Sequence, residues 1–428
     1  MEVKQQSAKA LTAASDFFRH GYKEWLQNNL KGDPAIWVIA FFLSIFGVLV
    51  VYSASSTLAF VYHDGDTGHF LRKHLGLVIL SWLTMYAAHL VPATYYGRAA
   101  KFFLWLSVPL LIATFVYGKI MHPEETPRWI KLPFGLSFQP SDLAKISLVI
   151  SLAAMLAKRQ KLEREEYKPH VFWNMMIWVF VVCVLIMFTN NSTAILLGTT
   201  CFLMFYIGRV PRYYMSRFVA TLLGVFLVGV LALVLTPDDS KSTDKKSNKE
   251  PVAAAQRSVV SKVFTRAGTF KGRIVRWWRG EVADQSREAY VAIANGGTLG
   301  IKPGGSHQRN YLKESANDFI FAIIIEEYGL GMACLVVLAY IVLIIRGVRT
   351  VEKTQYSFQG LLVAGLMISI ILQAFTNMCV SVGLLPVTGQ PLPLVSLGGT
   401  SLLFTALGLG IIQSVNRTLQ ATTQANRL

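Results

Sequence analysis

The sequence predicts an all-α polytopic integral membrane protein, and three observations carry that reading. Only 15% of the 428 residues are charged while 53% are hydrophobic, where a soluble domain carries about a quarter charged residues. Apolar runs recur at the length of a bilayer crossing, about 20 residues each. Arg and Lys gather in alternate short loops between those runs, as cytoplasmic loops require.

About ten spans follow from that length rule. They lie near 36–53, 74–91, 99–117, 140–157, 171–188, 192–208, 217–236, 317–345, 358–380 and 399–416. The basic loops carry Arg98 and Lys101, then Lys158 to Lys168, then Arg209, Arg212 and Arg217, then Arg346, Arg349 and Lys353. All four fall on one side when the N-terminus is cytoplasmic, so both termini are expected inside. The chain then divides into a cytoplasmic segment 1–35, a transmembrane core 36–416 and a cytoplasmic tail 417–428. The large loop 237–316 faces outward.

The net charge of +17 fits cytoplasmic loops and anionic lipid or phosphate partners. The stretch Ala8–Leu30 reads as an amphipathic surface helix or a solvated tail. No cleavable signal peptide is expected, because the first 35 residues are polar and mixed in charge. Cys183, Cys201, Cys334 and Cys379 are widely spaced inside apolar runs. They read as small core residues, neither a disulfide framework nor a zinc site.

Between the third and fourth spans, Pro140 suits the first helical position and Asp142 the third. Lys145 lies one turn deeper, about 60° around the helix, so the two side chains can pair. The pair is either a helix cap with its salt bridge or a charged wall of an outward cavity. In the second case Arg128 adds a phosphate-binding fork. The run Asn190, Asn191, Ser192, Thr193 is expected to satisfy turn backbone between spans five and six.

In the large loop, residues 237–250 are poor in apolar side chains and read as flexible. Residues 258–280 interleave Lys262, Arg266, Arg273 and Arg276 with Phe264, Phe270, Trp277 and Trp278. That pattern suits a lipid headgroup surface, and its outward placement excludes nucleic acid. Gly296, Gly297, Gly300, Gly304 and Gly305 follow, without the Gly-Lys-Ser/Thr of a Walker loop.

Next comes Asp318, near the first turn of a long apolar helix. An acid there either caps the helix or marks a functional site. Pro386, Pro391 and Pro393 with Gly389, Gly398 and Gly399 exclude a regular spanning helix over 383–401. Irregular backbone at membrane depth must be buried in protein or line a wet cavity. The outer ends of spans four, eight and ten are therefore expected to surround one polar site. The eight histidines are scattered and form no metal-ligand cluster.

Four blocks resemble a known family: VYSASS at 51–56, RWIKLPFGLSFQPSDLAK at 128–145, the glycine segment through NDFIFAIIIEEYG at 292–329, and LPVTGQPLPLVSLGGTSLL at 385–403. In identity and order they resemble the SEDS proteins (shape, elongation, division, sporulation), membrane-embedded peptidoglycan polymerases. The likeness is nearer to the division branch than to the elongation branch. Departures are visible. The family's Gln-Pro-Ser-Glu stands here as Gln139-Pro140-Ser141-Asp142, and its Pro-Asp-x-Gly-Thr as Thr189-Asn190-Asn191-Ser192-Thr193. The usual Leu-Pro before the catalytic helix is Leu312-Lys313, and Ser-Tyr-Gly-Gly-Ser-Ser is Ser396-Leu397-Gly398-Gly399-Thr400-Ser401.

The resemblance implies a glycosyltransferase that joins lipid II units and releases undecaprenyl pyrophosphate. Its catalytic aspartate falls on Asp318, as general base. Arg128, Lys145 and Lys73 are the expected pyrophosphate cations, and Asp142, Gln139, Ser306, Gln308 and Ser396 are expected at the substrate. No cofactor is required, with room left for a divalent cation, Mg²⁺ or Mn²⁺. The expected partners are lipid II, the nascent glycan, membrane lipids, a class B penicillin-binding transpeptidase and other division proteins. The expected location is the bacterial plasma membrane at the septum. A lipid II flippase is the rival reading, and a non-catalytic scaffold the third. The polar groups cluster at the outer span ends, which favours the polymerase.

Overall fold

The computed structural model describes residues 30–55, 67–121, 129–131, 137–159, 169–221, 224, 273, 277–280, 284–312 and 315–425. The readings for 1–29, for 237–272 and for Arg128 lie outside them. Among the described residues the main helices are α1 (Pro34–Ala54), α2 (Thr67–Leu90), α3 (Ala93–Met121), α4 (Pro140–Arg159), α5 (Pro169–Met187), α6 (Asn191–Ile207), α7 (Asp284–Gly296), α8 (Ile320–Lys353), α9 (Ser357–Ser381) and α10 (Thr400–Ala425), and residues 212–221 are helical as well.

Each expected span from 36–53 through 192–208, and from 317–345 onward, coincides with one of these helices. The span expected at 217–236 lies largely outside the described residues. Seven described helices are long and apolar enough to cross a membrane: α1, α3, α4, α5, α8, α9 and α10. The chain is a multi-pass membrane protein. One small ribbon interrupts the helical pattern. β1 (Ile130–Lys131) pairs antiparallel with β2 (Ser137–Phe138), Ile130 opposite Phe138.

Local sequence explains the helix ends. Asp33 caps α1, its Oδ1 accepting from Ala35 N at 2.9 Å, with Pro34 at the first position. Asn190 caps α6 by accepting from Thr193 N at 3.3 Å, as the turn-forming run predicts. Pro140 opens α4.

The bundle closes between its first and last described spans. Gln413 on α10 accepts from Asp33 N at 3.0 Å and donates to Asp33 O at 2.8 Å. Gln420 does the same for Gly32, at 2.9 and 2.7 Å. Two glutamines thus satisfy both backbone groups of the residues leading into α1. Packing between α2 and α10 is equally close. A Cβ on Gly410 would meet Ala88 Cβ at 2.7 Å and the Met85 backbone.

Two non-helical pieces position the site. Segment 382–399 leaves α9 and runs into the bundle without forming a helix, as its prolines and glycines require. It reaches mid-length positions of two spans. Tyr340 of α8 donates to Pro393 O at 2.5 Å, and a Cβ on Gly47 of α1 would lie 2.8 Å from Val395 Cα. Its backbone is satisfied inside protein, as membrane depth demands.

The second piece is a break in α8 at Gly329, where φ is +79° and ψ 175°. The glycine segment that follows α7 fills the gap. Ile301 N donates to Glu326 O at 2.8 Å and Leu330 N to Gly297 O at 3.0 Å. Gly300 and Gly329 face each other so closely that a Cβ on either would collide with the other's chain. The glycine segment therefore serves helix repair at the break, a role that spacing alone does not reveal.

The cysteines are free. Cys201 is buried and Cys183 and Cys379 are half-buried, but Cys334 is exposed. The core reading is corrected for Cys334: an apolar side chain on a span gains as much from facing lipid as from facing protein.

Candidate functional site

Asp318 precedes α8, whose N-cap is Phe319, so the expectation that the helix starts at 317 shifts by a few residues. The cause is visible in the backbone. The carbonyl of Ala316 accepts from Leu397 N at 2.9 Å, that of Asn317 from Ser396 Oγ at 2.8 Å, and that of Asp318 from Asn377 Nδ2 at 2.9 Å. Three successive acceptors are taken sideways, by segment 382–399 and by α9, before helical bonding begins. The turn is thereby fixed to its surroundings, with Asp318 half-buried.

Asp318 lines a cavity of about 200 Å³. The first turns of α4 supply Asp142 and Lys145 to the same wall, and Gln139 precedes them. Asn317, Gln373, Gln390 and Ser401 complete much of the polar lining, with Asn190 and Trp129 at its edges. The span ends expected to meet, those of α4, α8 and α10, do meet here.

The charged wall is built as the helical spacing predicts. Lys145 Nζ lies 2.7 Å from Asp142 Oδ1 and donates to Gln373 Oε1 at 3.3 Å. Both side chains are well covered, 14% exposed for Lys145 and 3% for Asp142. Taking one charge away would therefore leave the other desolvated and alone. Asp142 Oδ2 is buried with no hydrogen-bond partner among the described residues. That leaves an acceptor beside the cavity.

The amides order the floor. Asn377 Nδ2 bridges Asp318 O and Gln390 O, at 2.9 and 2.8 Å. Gln373 Nε2 donates to Pro391 O at 3.0 Å, and Gln390 Nε2 to Thr193 Oγ1 at 2.7 Å. The ribbon is tied on as well: Gln139 N donates to Thr400 Oγ1 at 3.1 Å, and its Nε2 to Ser141 Oγ at 2.8 Å.

Other expected residues lie elsewhere. Lys73 is exposed on α2 and is not part of the lining. Ser396 is buried, its hydroxyl accepting from Leu392 N at 2.7 Å while donating to Asn317 O. It shapes the turn that carries Asp318 instead of lining the cavity. Ser306 and Gln308 sit at the break in α8: Ser306 Oγ donates to Glu326, and Gln308 N donates to Glu326 Oε1 at 3.3 Å.

Asn377, Gln373 and Asn317 were not singled out in the sequence. A signal existed, since Gln373 and Asn377 are amides inside the apolar run of α9, where polar groups are costly. Among the described residues no group of three or more His, Cys, Asp or Glu side chains could hold a metal ion. Asp142 and Asp318 alone do not make a dedicated site.

Comparisons with known proteins agree in extent. Probable peptidoglycan glycosyltransferase FtsW of Geobacter metallireducens is 29% identical over 398 residues, 91% of this chain and 96% of the relative. The Bacillus subtilis protein of the same name is 27% identical, over 87% of each chain. Peptidoglycan glycosyltransferase MrdB of Escherichia coli is 25% identical, over 90% of this chain and 93% of its own. Two solved structures share the fold. One is a chain from a study of the structural coordination of polymerization and crosslinking by a peptidoglycan synthase complex, with TM-score 0.65 and 18% identity, covering 91% of this chain and 98% of that one. The other is the rod shape determining protein RodA of Thermus thermophilus, with TM-score 0.60 and 20% identity, covering 90% and 97%. The family model described as cell cycle protein matches residues 34–421. Running from the first span to the last, that match places the chain in the FtsW/RodA/SpoVE family of cell cycle proteins.

Proposed function

We propose that this chain polymerises lipid II into glycan strands for septal wall synthesis, with Asp318 as the general base. The family and the relatives named peptidoglycan glycosyltransferase support the enzyme class. The observation that carries the mechanism is the shared cavity: Asp318 and the Asp142–Lys145 pair line one polar recess.

In this reading the recess opens outward. Asp318 takes the proton from the C4 hydroxyl of the acceptor's N-acetylglucosamine. The oxygen attacks C1 of the donor's N-acetylmuramic acid, inverting that centre and expelling undecaprenyl pyrophosphate. The pinned carbonyls of Ala316, Asn317 and Asp318 hold the base in one geometry, which reduces what must be ordered during reaction. Lys145 supplies positive charge for the departing pyrophosphate, and the unpartnered Asp142 Oδ2 accepts from a sugar hydroxyl. Arg128 is a second cation for the pyrophosphate. No step is routed through a metal ion. The septal assignment follows the FtsW-named relatives, and a class B penicillin-binding transpeptidase is the proposed partner.

The test is Asp318→Asn in protein co-purified with its transpeptidase partner and supplied with lipid II. Asn keeps the shape and cannot take the proton. Protein level and lipid II binding should persist while polymer falls by about 10²–10⁴-fold. Polymer made at the wild-type rate would return Asp318 to a purely structural role. Loss of transbilayer movement of lipid II by the same variant, in vesicles where the wild type makes no polymer, would favour a flippase.

A further inference from the structure

Two carboxylates stand side by side, buried within the helix bundle, without any role in the proposed chemistry. Glu326 and Glu327 are 0% and 1% exposed, at the break in α8. Burying such groups is costly unless they are paired and hydrogen-bonded, so their partners show what the expense secures.

Glu326 turns toward the loop that leads to Asp318. It accepts from Ser306 Oγ, from His307 N at 3.1 Å and from Gln308 N at 3.3 Å. Glu327 reaches a different element. It accepts from Ser53 Oγ, near the end of α1, and from Ser306 N at 3.4 Å, with Arg309 Nη1 at 4.0 Å. The same Arg309 nitrogen donates to Ser53 Oγ at 3.0 Å and to Ser53 O at 3.3 Å. One turn of chain later, Ser315 Oγ donates to Ala54 O at 3.1 Å. The end of α1, the loop 306–315 and the broken helix therefore share one charged knot.

The knot holds a different stretch of chain from the bonds already described. Segment 382–399 and Asn377 hold the carbonyls of residues 316–318. The knot holds the chain just upstream, at Arg309 and Ser315. We propose that Glu327, acting through Ser53 and Arg309, is a positioning residue that clamps the Asp318 turn against α1. Two anchors of independent origin then bracket the turn, and the upstream one runs from Glu327 through Ser53 and Arg309. The inference rests on the reading of Asp318 as the base, for its effect on rate only.

Because Ser53, Ser306, Arg309, Glu326 and Glu327 are not among the residues lining the Asp318 recess, loss of the knot moves kcat and leaves the KM for lipid II. The variant is Glu327→Gln, which keeps the shape and the hydrogen-bond acceptor but removes the charge that holds Arg309. Small displacements of a reacting group cost on the order of 10²-fold, so kcat should fall by up to that factor with KM unchanged. In the absence of substrate, hydrogen–deuterium exchange of the peptide spanning 309–319 should accelerate, while peptides from α4 and α10 stay as in the wild type. Arg309→Lys and Ser53→Ala, closer to the rim of the knot, should give smaller effects of the same kind, and either serves if Glu327→Gln does not accumulate. Wild-type kcat in all three variants overturns the clamp. So does accelerated exchange spread evenly over the bundle, since that marks a general loss of stability. If Asp318→Asn proves fully active, the base reading fails alone, and the exchange result still decides the clamp.

Discussion

One side-chain nitrogen of Asn377 joins the carbonyls of Asp318 and Gln390, at 2.9 and 2.8 Å. A single amide on α9 thus ties the turn before α8 to the irregular segment before α10. Asn377→Leu removes both bonds and leaves two buried carbonyls short of a donor, about 1–3 kcal/mol for each. The expected outcome is a kcat lowered by about 10-fold or more, with a lower melting temperature. Polymerisation kinetics and thermal unfolding in detergent check both.

The Asp142–Lys145 pair is largely covered although it lines the recess, so removing the cation strands a carboxylate. Lys145→Ala should destabilise the protein by roughly 3 kcal/mol and lower polymer yield as well. Comparing membrane level and activity per molecule separates the two effects. Asp142→Asn, which leaves Lys145 with a neutral acceptor, should be milder in stability. Normal level and normal rate for Lys145→Ala would sink both the structural and the pyrophosphate role.

Gly329 has a positive φ and faces backbone, with Gly300 N only 2.6 Å from where its Cβ would be. Gly329→Ala combines backbone strain of about 1–3 kcal/mol with a collision no rotamer can relieve. The variant should accumulate poorly. Gly331→Ala, two residues on and with open space around it, should accumulate normally. Immunoblots of membrane fractions distinguish the pair, and equal levels would show that the glycine contact yields easily.

The alternation of basic loops predicts sidedness. A cysteine at Ser247 should react with an impermeant maleimide in intact cells, and one at Glu165 only after permeabilisation. The opposite pattern would invert the bundle.

The helices were legible because apolar runs of bilayer length admit few other structures. Asp318, Asp142 and Lys145 were legible because charges at span ends need partners, and helical spacing supplied one. The rest depends on contacts between distant parts of the chain. The glycine segment showed no role in the sequence because its counterpart, Gly329, lies on another element. Ser306 and Gln308 bind Glu326 instead of the recess, since the loop folds back onto the break in α8. Lys73 was expected as a pyrophosphate cation, but it is exposed on α2 and is not part of the recess lining. Asn377 and Gln373 were visible as amides in an apolar run, yet only the fold shows that both serve segment 382–399.

The glutamine clasp has a consequence for how the chain is made. Gly32 and Asp33 are synthesised 388 and 380 residues before the side chains that satisfy their backbone. Until α10 inserts, those groups lack their glutamine partners and turn to water or headgroups, though Asp33 O also accepts from Trp37 N at 3.5 Å. Contacts of such long sequence separation form late, so closure reports that every intervening span has been threaded. A split fluorescent reporter carried on the two ends should therefore light up only after the final helix is in place. Replacing Gln413 and Gln420 together with Leu should delay that signal without removing any span.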